Sequence, residues 1–149
     1  MQQSRSILAA IAADVAANYF VNTDKMVLFL STFVPAANST IADFIANRVA
    51  NGDILPFILT EPWLPGISGD GEGLLIYNGL AEFIAPNGTL SPVIAGGWFI
   101  ADTGLTDLKL FGVFEAPINF DNDLDELLVK PSMTFPVDAE ADSEFIDAP

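Results

Sequence analysis

The sequence predicts a mainly β fold, an antiparallel β-sandwich of jelly-roll type with one or two short α-helices. Three observations predict it. Between Ala95 and Phe135 apolar and polar residues alternate with a period of two, as a strand with unequal faces requires. Turn-forming runs such as Asn78-Gly79, Pro86-Asn87-Gly88 and Asp102-Thr103-Gly104 recur at short intervals between the apolar runs. With 149 residues, 51% of them hydrophobic, the chain has the length of one domain that buries roughly 70% of its unfolded surface. The expected division is a helical arm over 1–20, a β-sandwich over 21–136 and an acidic tail over 137–149.

Taken in order, residues 6–18 carry Ile7, Leu8, Ile11 and Val15 as a narrow apolar stripe on an alanine-rich helix, with Ser4 or Ser6 as its cap. The run is mostly alanine and is broken by Asp14, a poor match to a signal peptide. Residues 25–33 form a continuous apolar run, the pattern of a central strand covered on both faces. Residues 39–49 read as a helix capped by Ser39, with Ile41, Phe44, Ile45 and Val49 on one face. Residues 54–59 read as a strand at an edge, because Pro56 interrupts it. The run EPWLPGISGDGEG, residues 61–73, reads as a loop with Trp63 folded back over the core or exposed as a contact residue. Residues 74–77 and 80–85 read as a hairpin hinged at Asn78-Gly79. Strands follow at 97–101 and 108–115, then a turn over 117–126. The last strand sets Leu127, Val129, Pro131, Met133 and Phe135 on one face and Leu128, Lys130, Ser132 and Thr134 on the other.

Charge and missing residue types exclude several functions. Twenty acids against five bases give a net charge of −15, which repels phosphate backbones and argues against a nucleic-acid partner. The same charge suits docking on a basic surface. Asp, Asn, Gly or Pro breaks every apolar run short of the roughly 20 residues of a membrane helix. There is no histidine and no cysteine, so the usual general base, imidazole ligand and Ser–His or Cys–His nucleophile systems cannot be assembled. No phosphate-binding glycine motif occurs, and five bases are few for a phosphoryl-transfer site. The expectation is a non-enzymatic protein that needs no cofactor.

The densest acidic cluster contains Asp121, Asp123 and Asp125, whose alternation invites a calcium reading. A calcium loop of the EF-hand kind needs Gly at its sixth position and Glu at its twelfth. Glu126 and Ser132 stand there, so an Asx-rich turn is the better reading, as it is for the flexible acidic loop from Gly69 to Gly73. Candidate interface residues are Ile7, Ile11 and Val15 on the arm, Trp63, and the pair Phe145 and Ile146 in a tail that holds five acids and no base.

The runs GWFIAD (97–102), LFGVFEAP (110–117) and LLVKPSMTF (127–135), with looser echoes in MVLFLSTFVPAANSTIADF (26–44), resemble a group of small β-sandwich virion proteins of tailed double-stranded DNA phages. The resemblance spans about 110 residues and lies in strand-and-turn patterns. The chain departs from the group at Asp123–Glu126, where Gly is common, and in its alanine-rich N-terminal helix and acidic tail. The resemblance implies a virion structural role with no catalytic residue. A capsid decoration, or cement, protein is expected, located on the capsid surface and bound to the major capsid protein. A tail, neck or host-binding tail component is the alternative, and a small-molecule-binding β-barrel a further one. The high apolar content and the alanine-lined helix lead to the expectation of a homo-oligomer, with a trimer favoured.

Overall fold

The structure is a computed structural model that describes residues 14–50, 54–67 and 73–135. The fold is mainly β. Nine strands form three antiparallel sheets among the described residues, and two short segments are helical. The described residues fall into two compact units: a larger one of 21–50, 54–60 and 80–129, and a smaller one of 14–20, 61–67, 73–79 and 130–135. Their strand orders do not by themselves define a jelly roll.

The larger unit holds a four-stranded sheet in the order β2 (Phe57–Ile58), β1 (Lys25–Leu30), β6 (Val93–Ala101), β7 (Leu108–Phe120). As its unbroken apolar run predicts, β1 is an inner strand, with Met26, Val27, Leu28 and Phe29 all buried. One face of the sheet carries Val27, Phe29, Phe99 and Ala101. On this face lies Phe44 of helix α1 (Ile41–Ala46), fully buried, its ring centroid 5.7 Å from Phe29, 5.2 Å from Phe99 and 5.1 Å from Phe111. Burying such a side chain contributes about 1.5–3 kcal/mol. The other face carries Met26, Leu28, Trp98 and Ile100, since cross-strand partners share a side. Phe57, the partner of Met26, meets Phe83 of β5 (Ala81–Ile84) at 6.4 Å, and β5 pairs with β8 (Glu126–Val129) as a two-stranded ribbon.

Helix α1 is shorter than its sequence pattern and starts one residue later. Thr40 is the cap: its hydroxyl accepts from Asp43 N–H at 3.3 Å while the Asp43 carboxylate accepts from Thr40 N–H at 2.9 Å. Ser39 instead accepts from Ala36 N–H in the preceding turn. Val49 is buried but lies beyond the helix, because residues 47–49 turn to run beside β1. There Leu30 N–H donates to Asn47 O and Val49 N–H donates to Leu28 O, both at 2.8 Å.

The smaller unit holds a three-stranded sheet in the order β3 (Trp63–Ile67), β4 (Gly73–Tyr77), β9 (Ser132–Phe135). Three expectations need correction. The stretch read as a loop contains β3, which tolerates Pro65 because it is an edge strand whose proline need not donate to a ladder. The hairpin across Asn78-Gly79 does not form: β4 pairs with β3 and β9, and β5 with β8. Neither Asn78 nor Gly79 has the positive φ of a type I′ turn, and Asn78 N–H donates to Pro62 O at 2.8 Å. The run 127–135 alternates as predicted but is two strands. Pro131 has no N–H for a ladder, and the chain passes there from pairing with β5 to pairing with β4. A further difference lies in β7, which continues through Pro117 to Phe120 where a turn was expected. It too is an edge strand.

Strand β6 is the most enclosed, with residues 95–101 all buried. Two cross-strand pairs explain its glycines: Phe29 faces Gly97, and Trp98 faces Gly112. A Cβ on Gly97 would lie 2.2 Å from Gly112 O and 2.5 Å from the Phe29 ring, and one on Gly112 would lie 2.5 Å from the Trp98 ring. Each aromatic ring occupies the space above a neighbouring backbone. Gly112→Ala should therefore cost about 1–3 kcal/mol as the indole shifts. Gly97→Ala should cost more than Gly112→Ala, because backbone cannot yield; urea unfolding midpoints of the two variants check the order.

Candidate functional site

The residues singled out from sequence do not converge on one site. Ile7, Ile11, Phe145 and Ile146 lie outside the described residues, as do Gly69-Asp70-Gly71-Glu72. Val15 is half-buried in the helical turn at 14–18, which ends with Tyr19 N–H donating to Val15 O. Trp63 is 6% exposed, its ring stacked on Phe20 at 4.0 Å and edge-on to Tyr77 at 5.6 Å. It is folded back into the smaller unit's core and presents little surface to a partner. Tyr77 completes the arrangement: its hydroxyl accepts from Glu61 N–H at 3.1 Å, and its own N–H donates to Pro131 O at 3.0 Å.

Asp121, Asp123 and Asp125 sit in the turn before β8. Asp125 Oδ2 accepts from the N–H groups of Asp121 at 3.1 Å and Asn122 at 3.0 Å, the geometry of an Asx turn. That carboxylate is committed to holding its own loop. Among the described residues no group of three or more acidic side chains is placed to hold a metal ion. Leu124, in the same turn, has φ +65° where the resembled group commonly has glycine.

The buried polar feature was not singled out from sequence. Asp24 is 0% exposed, the one buried charged residue among those described, and its Oδ1 accepts from Lys109 Nζ at 2.8 Å. Its Oδ2 accepts from Val21 N–H at 2.9 Å, and its carbonyl from Leu59 N–H at 2.9 Å. The β6–β7 register shifts between Ile100 and Ala101, leaving Lys109 as the extra residue of a bulge and free to aim toward Asp24. The pair ties the entry of β1 to the start of β7. A legible signal existed: Lys109 is a base within an apolar strand of a chain that has only five bases. Asp24→Ala should cost about 3–5 kcal/mol, because it strips a buried ammonium of its carboxylate. The double variant Asp24→Leu/Lys109→Met should be less destabilised than Asp24→Ala, which denaturant titration of the three proteins checks.

The turn joining β6 to β7 is closed by Asp102. Its Oδ1 accepts from Asp107 N–H at 2.8 Å and Thr106 N–H at 2.6 Å, and its Oδ2 from the Thr106 hydroxyl at 2.6 Å. These bonds, the one from Asp107 N–H foremost and the Thr106 hydroxyl next, lower its pKa from 3.8 to about 2. A carboxylate depressed in this way stabilises the fold above its unfolded pKa near 3.8, and that contribution is lost as pH falls through about 2. The Asp102 carboxyl carbon should therefore titrate near pH 2 by NMR. In Thr106→Val, which removes the hydroxyl donor, the midpoint should move upward.

A groove of about 250 Å³ at the end of β1 and β6 is lined by Leu30, Ser31, Thr32, Pro92, Val93 and Ile94. It is smaller than the usual small-molecule pocket. No described helix is long and apolar enough to cross a membrane. Compared with family models, with curated proteins and with solved structures, the chain matches none.

Proposed function

We propose that this chain is a non-enzymatic structural protein of a tailed-phage virion, and within that class a capsid decoration protein that binds the assembled head as an oligomer. The observation that carries the reading is the resemblance of Gly97–Phe135, with its echoes from Met26, to small virion β-proteins. Two features of the structure support it. Large apolar side chains stand in water on many elements, among them Val34 at 84%, Leu55 at 70% and Val113 at 61% exposure, more than a solitary acidic protein needs. The described acids that are bonded, Asp24, Asp43, Asp102 and Asp125, serve internal structure, and no catalytic constellation joins them.

The test is occupancy on purified heads of the virion encoded beside this gene. Protein added to heads that lack it should bind in a fixed stoichiometry and raise their resistance to heat. If apolar contact dominates, bound protein should remain at molar salt, since ion pairs at a wet surface contribute at most about 1 kcal/mol each. A variant lacking residues 1–13, which spares the Phe20–Trp63 stack, should bind with lower occupancy if the arm reaches a neighbouring subunit. Binding to tails and not to heads would select the tail-component alternative.

A further inference from the structure

Among the described residues, Lys25 and Arg48 stand apart from the other bases. Lys109 is paired with Asp24, and Lys130 Nζ donates to Gly79 O at 3.3 Å. Lys25 and Arg48 are half-buried and have no side-chain partner among the described residues. Both lie where one edge of the four-stranded sheet is formed. Lys25 pairs with Ile58 of β2, and Arg48 bridges Phe29, four residues along β1. Residues 25, 27 and 29 share a face, as do their cross-strand partners, so Lys25, Ile58 and Arg48 belong to one side of the sheet. At about 3.3 Å per strand residue, the two bases are about 13 Å apart along the edge. Apolar surface adjoins the Lys25 end: Ile58 is 50% exposed, and Leu55 lies just before β2.

One stretch of this chain matches that pattern. Asp138-Ala139-Glu140-Ala141-Asp142-Ser143-Glu144 alternates acids with small residues, and Phe145-Ile146 follow at once. In an extended conformation all four acids fall on one face, and acids four residues apart are again separated by about 13 Å. We propose that the Lys25–Ile58–Arg48 edge is a docking surface for the acidic tail of a second copy of this chain. The tail runs antiparallel to β1, with Glu140 at Arg48, Glu144 at Lys25, and Phe145 and Ile146 on Ile58 and Leu55. The complementarity is specific in a chain of net charge −15, where two unpartnered cations are the scarce element and an acid face meets them at matching spacing. The proposal takes from the virion reading only that copies of the chain associate.

The experiment uses the full-length protein. Sedimentation velocity at micromolar concentration should show an oligomer. Lys25→Glu/Arg48→Glu and Glu140→Lys/Glu144→Lys should each weaken association at least tenfold, and the four substitutions together should restore it. Phe145→Ala/Ile146→Ala should weaken association without altering charge, and circular dichroism melts confirm that each variant is folded. Carbodiimide cross-linking of mixed ¹⁵N-labelled and unlabelled chains should join Lys25 of one copy to Glu144 of another. A monomeric wild type overturns the proposal, as does failure of the four-fold swap to restore association. A Lys25–Glu144 cross-link confined to single chains also overturns it, by assigning the edge to the chain's own tail. A monomer that still occupies heads would sink this proposal and leave the virion reading standing.

Discussion

The larger unit depends on two rings laid across two glycines. Phe29 of β1 lies against Gly97 of β6, and Trp98 of β6 lies against Gly112 of β7. Residues 97 and 98 point to opposite sides of the sheet, so one ring covers backbone on the helix-covered face and the other on the opposite face. Three strands are thereby held in a single register. A slip of one residue would bring Val113 or Phe111 under the indole where only Gly112 fits, and would turn β6 inside out. The aromatic cluster of Phe29, Phe33, Phe44, Phe99 and Phe111 is a consequence of this register, since it needs residues 29, 99 and 111 level across three strands.

Holding that register requires the ladder to be irregular at both ends of β7. The bulge at Lys109 sends its ammonium to Asp24, so a charged side chain in an apolar strand acquires a partner. At the other end Phe114–Pro117 stand opposite Gly96 alone, between the pairs Gly97↔Val113 and Ala95↔Ile118. A Cβ on Gly96 would lie 2.8 Å from Ser31 Cα, so glycine is required on the β6 side of this excursion as well. Bulges and Pro117 also blunt the open edge of β7, which otherwise offers a long apolar strand to any unfolded chain nearby.

The parts of the fold that follow from local pattern were legible in the sequence. The inner position of β1, the edge position of β2, the alternation through 127–135 and the mainly β character all rest on side-chain periodicity, which a single strand displays by itself. Pairing is not local. Nothing in Asn78-Gly79 distinguishes a hairpin turn from a crossing between two units, and only the absence of positive φ there reveals the difference. Pro131 looked like one more apolar residue in an alternating run, although its missing N–H is what separates β8 from β9. The Asp24–Lys109 pair spans 85 positions, and only the oddity of a lysine between Leu108 and Leu110 hinted at it. The Asp121–Asp125 cluster shows the converse: its residues are dense in sequence, and the carboxylate of Asp125 is spent on its own turn.

Charge and hydrophobicity are segregated in a way that bears on assembly. Many of the acids are concentrated in turns, with Asp102 and Asp107 between β6 and β7 and Asp121, Asp123 and Asp125 before β8. The outward strand positions that such turns leave free are in several places apolar: Ile58, Leu64, Ile84, Val113 and Leu128 are all exposed. A protein adapted to remain alone places polar residues at those positions, because alternation costs nothing there. Acids on protruding turns set the long-range sign of the field, and therefore the choice and rate of encounter, whereas apolar strand faces supply most of the contact energy once two surfaces meet. Such a division keeps the free chain soluble through self-repulsion while retaining apolar area for a partner whose basic surface cancels that repulsion.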